Sequence, residues 1–307
     1  MLDDRRTPSQ DPRPGESRES AIPRLVEAHG DQLYSLGLRF CGDAELARDL
    51  VQDTFLLAFR KWDQFEGRAR ASTWLYTIAA RVCQRQKRKR GRRTERTLSL
   101  EELSPFGENT VAAAPADQGL EELEQRASVL REVEQAIARL PVLFRMPLVL
   151  KEIAGLPLAD ISAVLGVRVE TVKTRLHRAR LAVRKEVESA RPQRKAPPPI
   201  FDKQVCLDLL AAKQEALDHG VEFEFPEGIV CERCAAVFAS LELAQDACSE
   251  VGRGELPAAL RRAILEHVRG ESGAKARARP TPRTSSSRAG TRTATRSPSR
   301  RRKGTRS

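Results

Sequence analysis

The chain has 307 residues, with 54 Lys plus Arg against 42 Asp plus Glu, and is 40% hydrophobic but only 5% aromatic. That length allows two or three small domains, while the polarity argues against one large core. The net charge of +12 is placed by Gly273 to Ser307, which hold twelve Lys or Arg and no acid; the remainder is balanced at 42 against 42, so nucleic-acid binding has to be argued from local clusters.

Residues 1–20 are charged and Pro-containing, without the apolar core of a signal peptide, and read as disordered. From Ala21 to Arg96 the chain is rich in helix formers. Glu45, Asp49 and Asp53 fall at i, i+4, i+8 on a helix whose other side offers Leu46, Leu50, Val51, Phe55 and Leu57. An acidic row beside an apolar face is either a solvated surface or a dock for a basic partner. Downstream lie Trp62, Phe65 and Trp74, and Arg81 to Arg96 holds nine Lys or Arg against the single acid Glu95. Rings that stack on bases beside cations that track phosphates suit unpaired DNA; the alternative is that both tryptophans are core and the charges are solvated.

Residues 97–119 are acidic and broken by Pro105, Gly107, Pro115 and Gly119, and read as a linker. In residues 120–190 helical periodicity returns. Leu158 to Leu165, then Gly166-Val167, then Val169 to Glu186 has the layout of a helix-turn-helix. Val172, Leu176, Ala179 and Val183 share one stripe of its second helix, which turns Glu170, Thr171, Lys173, Thr174, His177 and Arg178 outward. The start of such a helix reaches base edges and later cations reach phosphates. Arg168, Glu170, Thr171, Lys173 and Thr174 are therefore the candidate DNA face, with Arg175 and Arg178 nearer the backbone; a helical hairpin with a solvated basic face is the alternative.

Residues 191–199 (RPQRKAPPP) read as a stiff polar linker, residues 200–272 as a third helical unit, and residues 273–307 as a basic disordered tail, which either raises nonspecific DNA affinity or is a solvated appendage. Strand signals are almost absent, so an all-α protein with three small folded units is expected. No apolar run approaches the ~18 residues of a membrane helix, so no membrane partner is expected and the chain reads as cytoplasmic. Six cysteines are too few for a disulfide scaffold, and with four scattered histidines and no Ser/His/Asp order, Walker loop or GxGxxG, an enzyme is not expected.

The segments Asp43 to Leu56, Phe65-Glu-Gly67 and Thr73-Trp-Leu-Tyr-Thr-Ile-Ala79 resemble region 2 of the extracytoplasmic-function sigma factors of bacterial RNA polymerase. Arg139-Leu-Pro141, Leu158 to Gly166 and Glu170 to Arg180 resemble their region 4. This resemblance covers residues 21–190 and implies promoter-specific initiation of transcription, with core RNA polymerase and promoter DNA as partners and a nucleoid-associated location. It implies polymerase binding by Glu45, Asp49, Gln52 and Asp53, melting of the −10 element by Trp74, Arg81, Arg85, Lys87 and Arg88 and the preceding loop, and −35 reading by the helix-turn-helix. The acidic linker, with Glu101, Glu102, Glu108 and Asp117, would thread the channel that RNA later occupies. This chain departs from the family where Arg81 and Arg85 replace Asn and Asp, where Arg70-Ala71 replaces Ser-Phe, and where Glu170 replaces Gly.

Cys231-Glu-Arg-Cys234, with Cys206 upstream, offers three thiols to one tetrahedral zinc ion. The surroundings resemble a zinc-binding anti-sigma domain, which implies Glu227 at the fourth ligand position, with His219 and Cys248 as alternatives. A metal-free helical domain and a redox-active dithiol are the other readings. The fusion suggests regulation in cis; a separate anti-sigma partner is a further expectation. Two rival functions are a polymerase-independent helix-turn-helix regulator, and a metal- or thiol-sensing interaction protein whose sigma part is degenerate.

Overall fold

The structure is a computed structural model that describes residues 11–89, 98–107, 110–112, 119–225, 228–251 and 254–277. Three helices form the first unit: α1 (Arg18–Cys41), α2 (Ala44–Lys61) and α3 (Ala71–Lys89), with a 3₁₀ turn at Trp62–Gln64 between the last two. Ser17 caps α1, and the Asp43 carboxylate caps α2 by accepting from the Leu46 N–H at 2.8 Å. Leu25, Leu33, Leu36, Phe40, Leu50, Phe55, Phe59 and Leu75 interdigitate with no exposed surface.

The chain continues through α4 (Leu100–Leu103), the strand β1 (Thr110–Ala112), α5 (Gly119–Arg139), α6 (Val142–Leu148), a π turn at Val149–Ile153, α7 (Leu158–Leu165) and α8 (Val169–Ser189). Strand β2 (Gln193–Lys195) leads to the third unit of α9 (Lys203–His219), α10 (Glu232–Val251) and α11 (Ala258–Arg277). The all-helical expectation holds apart from β1 and β2, which pair antiparallel with Val111 opposite Arg194.

Three features of the packing bear on the expected organisation. The first concerns the units, whose cores do not follow their boundaries one for one. One apolar cluster runs through α1–α3 and α5–α8 and takes in Ala244, Cys248 and Val251 of α10 and Ile264 and Val268 of α11. Arg145 locks the first two units by donating to the carbonyls of Leu140 (2.7 Å) and Phe40 (3.3 Å). Arg261 of α11 pairs with Glu27 and Asp31 of α1, both at 2.7 Å.

The second concerns the linkers. A smaller cluster joins Leu103 and Leu181 to Cys206, Cys231, Cys234 and Phe238, so Leu103 anchors α4 between α8 and the third unit, and each linker contributes one strand to the β1–β2 pair. The third concerns the N-terminus: residues 11–17 pack against α1 and Trp62 because Pro12 is buried and Glu16 offers its carbonyl to the Trp62 indole. Composition marks where a chain is polar but not which polar stretches find backbone partners. Residues 1–10 and 278–307 lie outside the described residues, so most of the expected basic tail does too.

Candidate nucleic-acid and polymerase interface

In the helix-turn-helix, α7 ends at Gly166, whose φ of +66° is a left-handed conformation that L side chains resist, and its N–H closes on the Ser162 carbonyl. Val172, Leu176, Ala179 and Val183 are all buried, as their spacing requires. Arg168, Glu170 and Thr174 are exposed at the start of α8, and Thr171, Lys173, Arg175, His177 and Arg178 are half-buried.

Neighbours cause that half-burial. Lys173 Nζ donates to Glu215 of α9 at 2.6 Å, and His177 Nε2 lies 3.2 Å from Asp218 Oδ2. Arg178 donates to the Leu98 carbonyl at 3.2 Å, and Lys185 to the Glu102 carbonyl at 2.8 Å. Asp218 has no exposed side-chain surface and also accepts from Arg180 Nη1 at 2.6 Å, while Arg180 reaches Glu152 at 2.8 Å. Lys151 holds the Asp218 carbonyl at 2.7 Å. Burial alone would raise the Asp218 pKa; the His177 hydrogen bond and the Arg180 charge outweigh it and hold the carboxyl below its ordinary range. Helix α9 thus engages Lys173 and His177 of α8 through Glu215 and Asp218. Glu215 and Asp218 leave no sequence signal of this role, since their i, i+3 spacing is by itself only an acidic helix face.

In the first unit, Glu45 and Asp49 of α2 are exposed, and Gln52 and Asp53 are half-buried. Asp53 lies 3.8 Å from Arg85 of α3. Arg81, Arg85 and Arg88 form an exposed row on α3, with Lys87 half-buried beside it; residues 90–97 of the basic run lie outside the described residues. Trp62 is core, at 2% exposure, and Trp74 is half-buried. Phe65 stacks on Trp62 with centroids 5.0 Å apart and meets Trp74 at 5.3 Å. Gln64 to Ala69 and Trp74 line an open cleft of about 150 Å³. A cleft with an aromatic wall, whose Trp74 shares α3 with a row of arginines, suits an unstacked base and its phosphates. Thr73 of α3 donates to Asp160 of α7 at 3.4 Å, so the first two units touch beside this site.

In the third unit Cys206, Cys231 and Cys234 are all buried in one cluster. Burial opposes ionisation of Cys231, but bonds from the Cys234 backbone and thiol and from the backbone of Ile200 and Arg233, at the start of α10, hold it below the ordinary thiol range. Burial and the two neighbouring thiols push Cys234 up. Of the expected fourth ligands, Glu227 lies outside the described residues and His219 bonds Glu215 at 3.0 Å. Cys248 lies in the other core, since fourteen residues of helix set it about 21 Å along α10 from Cys234. Among the described residues, no group of three or more His, Cys, Asp or Glu forms a ready-made metal site. Among them, too, no helix is long and apolar enough to cross a membrane.

Residues 25–93 match the family Sigma-70 region 2, and residues 130–183 match Sigma-70, region 4. The chain is 32% identical over 170 residues to the ECF RNA polymerase sigma factor SigW of Bacillus subtilis (strain 168), covering 55% of this chain and 90% of that protein. It is 33% identical over 174 residues to the RNA polymerase sigma-H factor of Pseudomonas aeruginosa, covering 55% and 86%. Among solved structures, the sigma factor RpoE in complex with the anti-sigma factor NepR from Bartonella quintana aligns with a TM-score of 0.39 at 27% identity, over 53% of this chain and 93% of that one. The third unit lies beyond both family matches.

Proposed function

The chain belongs to the extracytoplasmic-function sigma factors of bacterial RNA polymerase, and on that premise we propose that it is a self-locked one, whose third unit holds it closed in cis. In this reading the acidic row Glu45, Asp49, Gln52 and Asp53 docks on core polymerase. The cleft and the α3 arginines hold the −10 element as single strand, and α8 reads the −35 element. Bond-making chemistry belongs to the polymerase; this chain supplies placement.

The observation that carries the lock is the seating of α9 on α8: Glu215 and Asp218 occupy Lys173, His177 and Arg180. Thr73 of α3 also donates to Asp160 of α7 at 3.4 Å, so the first two units are packed against each other in this state. The exposed Glu45 and Asp49 leave core binding open while Lys173 and His177 of α8 are engaged by α9. A polymerase-independent regulator has no use for that acidic row.

Cys206, Cys231 and Cys234 are the residues that would hold a zinc ion: they form no ready-made site as they stand, but three buried thiols in one cluster would need only to draw together to offer three of four positions. When bound, zinc would tie α9 to α10 and so steady the acidic helix on α8. Run-off transcription with core polymerase tests the reading as a whole: the full chain should bind core yet initiate weakly, and Asp218→Asn should raise specific initiation. Equal initiation by both chains would overturn the lock, and absence of core binding would overturn the sigma reading.

A further inference from the structure

The segment ahead of α1 is tied to the loop that lines the cleft. Its turn is closed by the Glu16 N–H on the Arg13 carbonyl (3.2 Å) and the Arg13 N–H on Glu16 Oε1 (2.7 Å). Asp11 Oδ1 lies 2.7 Å from His29 Nε2, and Arg24 donates to Glu16 Oε2 at 2.8 Å, so both ends are anchored on α1. Pro12 is buried between these anchors.

From that anchorage the segment reaches the loop at two points. The Trp62 indole N–H donates to the Glu16 carbonyl at 2.8 Å. Gly67, at φ +71°, makes room for Pro14; a Cβ built on it would lie 2.4 Å from Pro14 Cγ. Trp62 and Gly67 bracket the loop. Trp62 carries Phe65, which carries Trp74, and Gly67 itself lines the cleft. Arg18, one residue beyond the segment, adds an ion pair to Asp63 at 2.5 Å.

We propose that residues Asp11–Ser17 form a strap that positions the cleft loop and thereby sets which base the cleft accepts. The proposal rests on reading the cleft as the −10 site. A pocket discriminates bases only if its walls are held to within about half an ångström, and a loop bounded by a 3₁₀ turn and a left-handed glycine does not supply that stiffness alone. The arginine row sits on a continuous helix and needs no strap. Loosening the strap should therefore fall on base preference, which comes from the pocket, and spare overall affinity, which comes from phosphate contacts.

The cleft and Arg81, Arg85 and Arg88 are open while α9 is docked, so the full chain can be used as it stands. Labelled single-stranded 12-mers, varied one position at a time, are titrated by fluorescence anisotropy against the unaltered chain and the Pro12→Gly/Pro14→Gly variant. The unaltered chain should discriminate bases by about tenfold at one position; the variant should fall to about twofold there, with mean affinity and salt slope unchanged. Asp11→Ala, which loosens the anchor without touching the loop, should show the same selective loss in smaller measure. A double variant that keeps its discrimination overturns the strap, as does one that loses affinity and discrimination together. No base preference in the unaltered chain overturns the −10 reading itself, and the strap with it.

Discussion

Replacing Asp218 by Asn keeps the shape of the side chain and removes its charge. In the folded chain that carboxylate accepts from Arg180 at 2.6 Å and faces His177 at 3.2 Å with no exposed surface. Hydrogen bonds to charged groups are worth about 1.5–3 kcal/mol each. Orphaning a buried charge costs about 3–5 kcal/mol, but Arg180 retains Glu152 at 2.8 Å, so the full penalty does not apply. A net loss of about 2 kcal/mol falls on the docking of α9 against α8, or about thirtyfold in that equilibrium at 1.4 kcal/mol per decade. Where the docked state dominates, apparent affinity for a −35 duplex should rise by up to the same factor, because affinity scales with the fraction competent to bind. Fluorescence anisotropy with a labelled −35 duplex reads this directly. An Asp218→Asn chain that folds cooperatively and binds within twofold of the unaltered chain would refute the claim that α9 restrains α8 through Lys173 and His177.

Charge reversal at Glu45 and Asp49 should weaken core polymerase binding by about tenfold at low salt, and by less as salt screens the exposed charges; surface-captured core titrated at two ionic strengths checks both. Arg145→Met should destabilise the chain by about 3 kcal/mol in urea unfolding, since it strips donors from buried carbonyls at Leu140 and Phe40 without opening a large cavity. Gly166→Ala should cost about 1 kcal/mol in the same assay, an effect of backbone conformation alone because a Cβ there meets nothing within 4 Å. Metal analysis of the purified chain should find about one zinc, lost in Cys234→Ser; an unchanged metal content in that variant would remove Cys234 from the site.

The parts of this architecture legible in the sequence are those whose signal is local. The stripe Val172, Leu176, Ala179, Val183 and the glycine at 166 specify a helix-turn-helix through period and backbone conformation, and α7 and α8 lie where that pattern puts them. The Cys206, Cys231, Cys234 grouping follows from one helical turn plus a packed neighbour. The docking of α9 was hidden because Glu215 and Asp218 acquire meaning only opposite Lys173 and Arg180, and no spacing within one helix reveals which face of another it meets. The same holds for Val111 opposite Arg194, two three-residue stretches that become strands by finding each other. The strap was hidden too, since its bond to Trp62 uses a backbone carbonyl, which leaves no mark on side-chain composition.

The most direct measurement is run-off transcription by bacterial core polymerase with the purified full chain and its Asp218→Asn variant, on a library of genomic promoter fragments. Start sites should lie downstream of one shared two-box motif, weak with the unaltered chain and stronger with the variant. Transcripts no different from those of core polymerase alone, with both chains, would contradict that expectation.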